Sequence, residues 1–177
     1  VTDGDIAFAV EYIKQRGFVP IYDERLFLTH NQFAGNDERR ASVLQHYLNA
    51  DDIDAIMCVR GGYGTVRIID KLDFDKFMRK PKWIVGYSDV TVLHAKMQSI
   101  GIESLHATMP INFQDNSKQA LDTLFDALCG KEIKYDLPQQ TLDILSKMKG
   151  EVVGGNISVL YSLLGSDIFP DVEGKVL

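Results

Sequence analysis

Apolar positions along the chain alternate between helical spacing and short continuous runs. Ile6, Ala9 and Ile13 fall on one face of a helix that Gly17 ends. Helical spacing returns in four further segments, at 37–48, 65–69, 73–78 and 90–97. Continuous apolar runs predict strands between them, at 18–22, 53–59, 83–85 and 102–106. The alternation predicts an α/β fold, a flavodoxin-like doubly wound parallel sheet.

The pattern changes beyond Pro110. Residues 117–128 have the spacing of an amphipathic helix, whereas 131–153 contains short alternating segments that are typical of strands. Helical spacing returns from Ile157 to Leu164. We therefore expect an α/β domain that bears the functional site over 1–130. A linker and the beginning of a second, smaller C-terminal domain are expected over 131–177.

The composition is that of an ordinary globular protein. The 177 residues are 45% hydrophobic, their formal net charge is -6, and the basic residues are scattered, which argues against a nucleic-acid partner. No apolar run has the length of a membrane span, so no membrane partner is expected. Cys58 and Cys129 lack the spacing of a metal site. We expect both to be reduced structural thiols, and we expect neither a metal nor another cofactor.

One predicted turn carries the strongest signal for chemistry. The segment IVGYSDVT at 84–91 joins a strand to a helix and places Ser88 at the turn between them. A serine there is a candidate nucleophile, and the backbone N–H of Asp89 would point at an oxyanion. Val90 stands where the familiar nucleophile elbow has glycine, so only half of that pattern is matched. A serine or aspartate that caps the helix is the structural alternative.

A glycine-rich loop, RGGYG at 60–64, follows the strand predicted before it. Because the loops after parallel strands share one edge of the sheet, we expect this glycine loop to lie beside Ser88. Gly61 and Gly62 would then offer backbone N–H donors. The alternatives are an ordinary tight turn and a phosphate cradle, although no Lys-Ser or Lys-Thr pair of a Walker motif follows the loop.

Three separated motifs of this chain occur together and in the same order in a known family. They are FAGNDERR at 33–40, the segment 55–64 with its VRGGYG, and Pro-Lys at 81–82 leading into GYSDVT. In these motifs the chain resembles the LD-carboxypeptidases, which include murein tetrapeptide carboxypeptidases and microcin C self-immunity peptidases. The similarity is dense from Phe33 to His106 and resumes with GEVVGGN at 150–156.

The resemblance implies a serine peptidase with a Ser-Glu-His triad. Ser88 matches the nucleophile, and the amides of Asp89, Gly61 and Gly62 match the oxyanion hole. The glutamate and histidine of the family lie in a C-terminal domain and are expected beyond Leu177. We therefore interpret the chain as a fragment, which also lacks the first strand, and we expect it to be inactive alone.

The implied substrate is a small peptide, a murein tetrapeptide that loses its terminal D-alanine through hydrolysis of an L,D-peptide bond. The resemblance further implies a cytoplasmic homodimer. A peptidyl-nucleotide of the microcin type is the alternative substrate. Two other classes stay open: a non-catalytic flavodoxin-like module that binds phosphate or a nucleotide, and a structural half of a dimer.

Three polar residues outside the elbow are candidates for substrate binding. Arg60 would present two N–H donors to a substrate carboxylate, and hydrogen bonds that hold neighbouring loops together are its alternative. Asn156 follows two glycines, with helix capping as its alternative. Tyr63 belongs to the glycine loop.

Two histidines lie near Ser88 in the predicted fold. His94 is excluded as its direct partner, because six helical positions separate them by about 9 Å along the axis. His106 ends the next predicted strand and is expected at the same sheet edge, about 4.8 Å away if the strands are adjacent. The family has a His-Gly-Pro motif there, but this chain has His-Ala-Thr. We interpret His106 as a pocket-lining or structural histidine, with the role of triad base as the alternative.

Overall fold

The computed structural model describes residues 1–135 and 149–177. Within these ranges three parallel strands form one sheet in the order β1-β2-β3: β1 (Ala55–Met57), β2 (Trp83–Gly86) and β3 (Leu105–His106). The register pairs Ile56 with Ile84 and Gly86 with His106. The predicted α/β fold with a parallel sheet is confirmed.

Helices precede, connect and follow these strands. They are α1 (Asp3–Gln15), α2 (Asp37–Asn49), α3 (Asp75–Arg79), α4 (Thr91–Ser99), α5 (Lys118–Leu128) and α6 (Ile157–Ser162). Short 3-10 helices lie at Glu24–Phe27, Thr65–Arg67, Ile69–Lys71, Ser88–Val90 and Pro110–Asp115. Polar side chains begin three of the α-helices, since Asn36, Ser117 and Asn156 each accept a bond from a backbone N–H of the first turn.

Helices cover both faces of the sheet. Neighbouring residues of a strand point to opposite faces of the sheet, so Ile84 and Val85 of β2 pack into different clusters. Ile84 lies in a buried cluster with residues of α2, α3 and α4, among them Leu48, Phe77, Leu93 and Met97. Val85 lies in a second buried cluster with Ala9 of α1, Phe113 of the 3-10 helix Pro110–Asp115, and Leu121 and Phe125 of α5. This layering is the doubly wound arrangement that the sequence predicts.

The strand predicted at 18–22 is wrong. These residues follow α1 without regular structure. Val19 and Ile21 are exposed to 82% and 55%, so the apolar run does not form a core strand. Pro20 has no N–H to donate to a neighbouring strand, which disfavours a ladder at the middle of the run.

Other elements differ from the prediction in length or type. The strands predicted at 53–59 and 102–106 are three and two residues long, and the helix predicted at 65–69 consists of 3-10 turns. Residues 131–135 have no regular structure, and Val152 forms an isolated parallel bridge with Val176. The remainder of the strands predicted over 131–153 falls at 136–148, outside the described residues.

The segment after α6 packs on the α/β core. Leu163 and Ile168 belong to the same buried cluster as Ile84 of β2. The backbone N–H of Asn156 also donates to Thr91 Oγ1 at 2.9 Å, which joins the start of α6 to the start of α4. The domain boundary after residue 130 stays a prediction.

Candidate active site

Ser88 lies at the turn between β2 and α4. Its φ is 62°, a left-handed conformation that costs energy for a residue with a side chain. Tyr87 before it is extended, and a 3-10 turn from Ser88 to Val90 leads into α4. The serine therefore stands at a sharp strand-to-helix turn, where the partial positive charge of the helix N-terminus favours an anion.

Gly86 and Val90, which flank Ser88 in this turn, pack closely against each other. Val90 occupies the place of the second glycine, and an ideal Cβ on Gly86 would lie 2.8 Å from Val90 Cγ2. Real Cβ atoms do not approach so closely, so only glycine fits at position 86 opposite this valine. The first glycine of the pattern thus provides the space that the valine needs.

The glycine loop at 60–64 packs against this turn. An ideal Cβ on Gly61 would lie 3.1 Å from Ser88 Cβ and 3.3 Å from Ser88 Oγ. The absence of a side chain at Gly61 lets the loop backbone approach the serine closely. The two loops therefore lie side by side, as expected for loops that follow adjacent parallel strands.

The Asp89 carboxylate bonds to the glycine loop. Its Oδ2 accepts hydrogen bonds from Thr65 N at 2.9 Å and from Thr65 Oγ1 at 2.6 Å. Asp89 therefore caps the 3-10 helix Thr65–Arg67 rather than α4, whose N-terminus has no side-chain cap. Helix capping was the structural alternative for this residue, and the structure corrects which helix it caps.

Residues of the FAGNDERR motif support the far side of the glycine loop. Arg40 Nη1 donates to the Gly64 carbonyl at 3.1 Å, and its guanidinium lies 4.9 Å from the centre of the Phe33 ring. The Arg67 and Arg40 guanidinium groups both bond to Asp37, which lowers the pKa of that carboxyl to about 2. Sequence reasoning used this motif only for the resemblance, since its contacts with the loop come from tertiary structure.

A shallow depression of about 280 Å³ opens beside Ser88. Its lining combines the elbow, the glycine loop and the segment after β3: Arg60, Gly61, Tyr87, Ser88, Met109, Ile111 and Asn112. Tyr87 donates from its hydroxyl to Asn112 Oδ1 at 3.0 Å. Sequence reasoning missed Met109, Ile111 and Asn112. Their position after the strand adjacent to β2 is the signal that would have found them.

Arg60 and Tyr63 lie on the exposed side of the glycine loop. The Arg60 side chain reaches the depression, and its Nε donates to the Gly61 carbonyl at 3.3 Å. Tyr63 is 70% exposed. This bond lies within the glycine loop and does not join it to a neighbouring loop, so it does not test the loop-holding alternative. A role for either residue in substrate binding stays a prediction.

His94 is buried behind the elbow. Its Nε2 lies 2.9 Å from the Gly86 carbonyl, and its Nδ1 lies 2.8 Å from Ser104 Oγ. Because a carbonyl can only accept, Nε2 carries the proton and Nδ1 accepts from the serine hydroxyl. Burial lowers the pKa of His94, which keeps this ring neutral near pH 7. Both ring nitrogens therefore make structural bonds, and neither is free to act on Ser88.

His106 lies at the predicted edge of the sheet. It ends β3 in register with Gly86 and is exposed. Its ring contacts Tyr87 and His94, with centroid distances of 6.3 and 5.7 Å. Among the described residues no hydrogen bond joins His106 to Ser88, and His106 is not one of the residues that line the depression. Its ring contacts fit the structural interpretation of this histidine.

Asn156 uses its side chain as a helix cap. Its Oδ1 accepts from Val159 N at 3.2 Å, at the start of α6. The capping alternative therefore accounts for this side chain. A role for Asn156 in substrate binding stays a prediction.

Three further features of the described residues bear on other kinds of site. Burial raises the pKa of the Cys58 thiol to about 12, so this thiol stays protonated at neutral pH. In 1–135 and 149–177, no group of three or more His, Cys, Asp or Glu side chains is placed to hold a metal ion. Across the same ranges, each helix is too short or too polar to cross a membrane.

Similarity to known proteins defines the class. Residues 1–107, more than half of the chain, match the LD-carboxypeptidase N-terminal domain. The chain therefore belongs to the LD-carboxypeptidase family, and the resemblance seen in its motifs is confirmed.

The chain is similar to relatives of two kinds within this family. The probable murein peptide carboxypeptidase of Bacillus subtilis is 33% identical, over 96% of this chain and 55% of the relative. The microcin C7 self-immunity protein of Escherichia coli is 25% identical, over 95% of this chain and 58% of that protein. The crystal structure of muramoyltetrapeptide carboxypeptidase from Oxalobacter formigenes has a TM-score of 0.79 and 27% identity, covering 97% of this chain and 58% of that one. The chain thus spans a little over half the length of these relatives.

Proposed function

We propose that the protein containing this chain is a serine-type LD-carboxypeptidase whose nucleophile is Ser88. The observation that carries the proposal is the left-handed backbone of Ser88 at a strand-to-helix turn, with the Gly61 backbone packed against its side chain. A turn of this kind presents a hydroxyl beside backbone N–H groups, which is the arrangement that acyl transfer needs. Membership of the LD-carboxypeptidase family supports the same reaction class.

The proposed reaction is acyl transfer through an ester intermediate. Ser88 Oγ attacks the carbonyl carbon of the bond before the C-terminal residue, while a general base takes the hydroxyl proton. The N–H groups of Asp89, Gly61 and Gly62 donate to the oxyanion, and each such donor is commonly worth about 10²–10³ in turnover. The base returns its proton to the departing amine, and water then hydrolyses the ester.

We assign the base to a histidine outside these 177 residues. Both ring nitrogens of His94 have partners, namely Gly86 and Ser104. His106 contacts aromatic rings and makes no hydrogen bond to Ser88 among the described residues. A serine without a base is a weak nucleophile at neutral pH, so the chain alone is expected to be inactive.

The proposed substrate is a murein tetrapeptide that loses its terminal D-alanine. Support comes from the names of the Bacillus subtilis murein peptide carboxypeptidase and the Oxalobacter formigenes muramoyltetrapeptide carboxypeptidase. Arg60 lines the depression, and a guanidinium there would offer a two-donor fork for a substrate carboxylate. A peptidyl-nucleotide of the microcin type is the second candidate, favoured by the match to the microcin C7 self-immunity protein. We put the tetrapeptide first because the identity to the murein enzyme is higher, 33% against 25%. A cytoplasmic location and a homodimer belong to the same proposal.

A hydrolysis assay on the complete gene product tests this function. We expect release of D-alanine from an L,D-linked murein tetrapeptide and no cleavage of the matching L,L-tetrapeptide. Ser88→Ala should lower turnover at least about 10⁴-fold. The control is Ser99→Ala, which removes an exposed serine of α4 and should leave turnover unchanged.

Two results would count against the proposal. Cleavage of a peptidyl-nucleotide but not of the tetrapeptide would transfer the function to the second candidate. Phosphate or nucleotide binding that survives Ser88→Ala, together with no hydrolysis of either substrate, would favour the non-catalytic module instead.

A further inference from the structure

The Asp89 carboxylate joins the two loops of the site. Its Oδ2 accepts one hydrogen bond from the Thr65 backbone N–H and a second from the Thr65 hydroxyl, at 2.9 and 2.6 Å. We infer that this carboxylate is a positioning group, which fixes the glycine loop at the distance from Ser88 where the loop amides reach the oxyanion. The inference rests on the proposed function and gives a role to a side chain that the oxyanion chemistry leaves unused.

The glycine loop has no side chain of its own to make this cap. Gly64 is the N-cap residue of the 3-10 helix Thr65–Arg67. Its φ is 135°, and an ideal Cβ there would lie 2.7 Å from the Phe33 ring. A capping side chain such as Ser or Asp therefore does not fit at position 64. The N–H of Thr65 needs an acceptor from another part of the chain, and Asp89 provides it.

The loop meets two consecutive residues of the elbow. At its start, the Gly61 backbone packs against Ser88, with only 3.1 Å between an ideal Cβ and Ser88 Cβ. At its end, Thr65 bonds to Asp89. Arg40 also holds the loop, through the carbonyl of its last glycine, but Arg40 belongs to α2 and its bond does not reach the elbow. The two hydrogen bonds of Asp89 therefore couple the end of the loop directly to the turn that carries Ser88.

The chemistry of this link makes it effective. Hydrogen bonds to an ionised acceptor are shorter and about twice as strong as neutral ones. Asp89 and Thr65 are both half-buried, so water competes only partly for these bonds. A displacement of about 1 Å at a reacting group costs about 10²-fold in rate. Removal of the carboxylate should therefore lower turnover strongly, although the Asp89 backbone N–H stays in place.

The test compares Asp89→Ala, Thr65→Val and Thr65→Ser in the complete gene product. Asp89→Ala should lower kcat for the L,D-tetrapeptide about 10²-fold, with little change in KM, because the link acts on the oxyanion and not on substrate affinity. Thr65→Val keeps the N–H but loses the hydroxyl, so a loss of about tenfold is expected. Thr65→Ser keeps both the N–H and a hydroxyl, so it should have the wild-type rate. The exposed Asp115 provides the control, since Asp115→Ala removes a surface carboxylate and should leave kcat unchanged.

The double variant Asp89→Ala/Thr65→Val adds a measure of coupling. Both changes break the same link, so the double variant should be no slower than Asp89→Ala alone. Losses that multiply would overturn the inference, as would a wild-type kcat in a folded Asp89→Ala protein. If Asp89→Ala does not fold, equal rates for the valine and serine variants at Thr65 would overturn it, and a loss in the valine variant alone would support it.

Failure of this inference is distinguishable from failure of the proposed function. A wild-type protein that hydrolyses neither substrate would overturn the proposed function and this inference with it. An active wild type whose variants at Asp89 and Thr65 keep their kcat would overturn the inference alone.

Discussion

Single atoms decide how closely the glycine loop approaches Ser88. An ideal Cβ on Gly61 would lie 3.3 Å from Ser88 Oγ, tighter than most real Cβ contacts but not prohibitive. Loop and serine would have to separate by a few tenths of an ångström to admit a methyl group. Glycine is therefore needed at position 61 because it lets the loop approach Ser88 closely, and not because of its backbone conformation.

Replacement of this glycine should affect activity more than stability. We expect Gly61→Ala to reduce kcat for the L,D-tetrapeptide about 10- to 100-fold, because the added methyl moves the loop donors away from the oxyanion. The melting temperature should change little, since the loop is at the surface. Gly4→Ala is the matched control, because a Cβ there would meet only Thr2 Oγ1, at an ordinary 3.7 Å. Equal kcat values for the two variants would contradict this account of Gly61.

Local sequence predicted Ser88 and Gly61 but not their partners. A glycine two positions before the serine, between a strand and a helix, is a short-range pattern that the sequence displays directly. The bonds of Asp89 to Thr65 join residues 24 positions apart and depend on how two loops come together. Asn156 illustrates the opposite case, since its capping bond to Val159 N is local and was weighed from the sequence.

At the scale of elements, the order of the strands builds the site. The parallel order β1-β2-β3 places the ends of all three strands at one edge. The glycine loop, the elbow and the segment of Met109 to Asn112 meet there around the depression. The sequence predicted the first two because each carries a motif. The third has no motif, and its position after the strand predicted at 102–106 is the signal for it in the sequence.

The FAGNDERR segment supports this edge through ion pairs, and pH should reveal it. The pKa of Asp37 is about 2 in the folded protein, below the ordinary value of 3.8, because Arg67 and Arg40 bond to the carboxylate. The folded state therefore binds fewer protons in this range than the unfolded state. The stabilisation is fully present above about pH 4 and is lost as the pH falls from there towards 2.

Comparison of melting temperatures for the wild type and Asp37→Asn checks this expectation. The wild type should melt higher at pH 6, and the difference should shrink as the pH is lowered to 2. Asp23 also has a pKa of about 2, because it bonds to Arg25, and it is distant in sequence from the loop. Asp23→Asn therefore serves as a comparison that should show a similar dependence on pH. A difference between wild type and Asp37→Asn that does not change with pH would contradict the assignment.

Tertiary partners also explain where the prediction of elements failed. The run at 18–22 is as apolar as a strand, yet Pro20 interrupts its donors and Val19 is 82% exposed. Apolar composition alone cannot tell a strand from an extended connection. The three strands of the sheet lie within apolar runs of the same kind, so composition did not separate them from the run at 18–22.

At the scale of the whole molecule, the family and the length of the relatives set the frame for the proposed activity. It belongs to the LD-carboxypeptidase family through residues 1–107 and spans 55% of the length of its Bacillus subtilis relative. The described residues bring together a strained serine, a glycine loop and the carboxylate that joins them. In our proposal the base comes from outside the 177 residues, so activity is a property of the complete gene product.

The most direct test of Ser88 as the nucleophile is to find the residue that a covalent label modifies. The complete gene product is treated with a serine-directed fluorophosphonate, and peptides are analysed by mass spectrometry beside Ser88→Ala. We expect one adduct, on the peptide that contains Ser88, and none in the variant. An intact fold without any adduct, or an adduct that persists in Ser88→Ala, would contradict the assignment of Ser88 as an activated nucleophile.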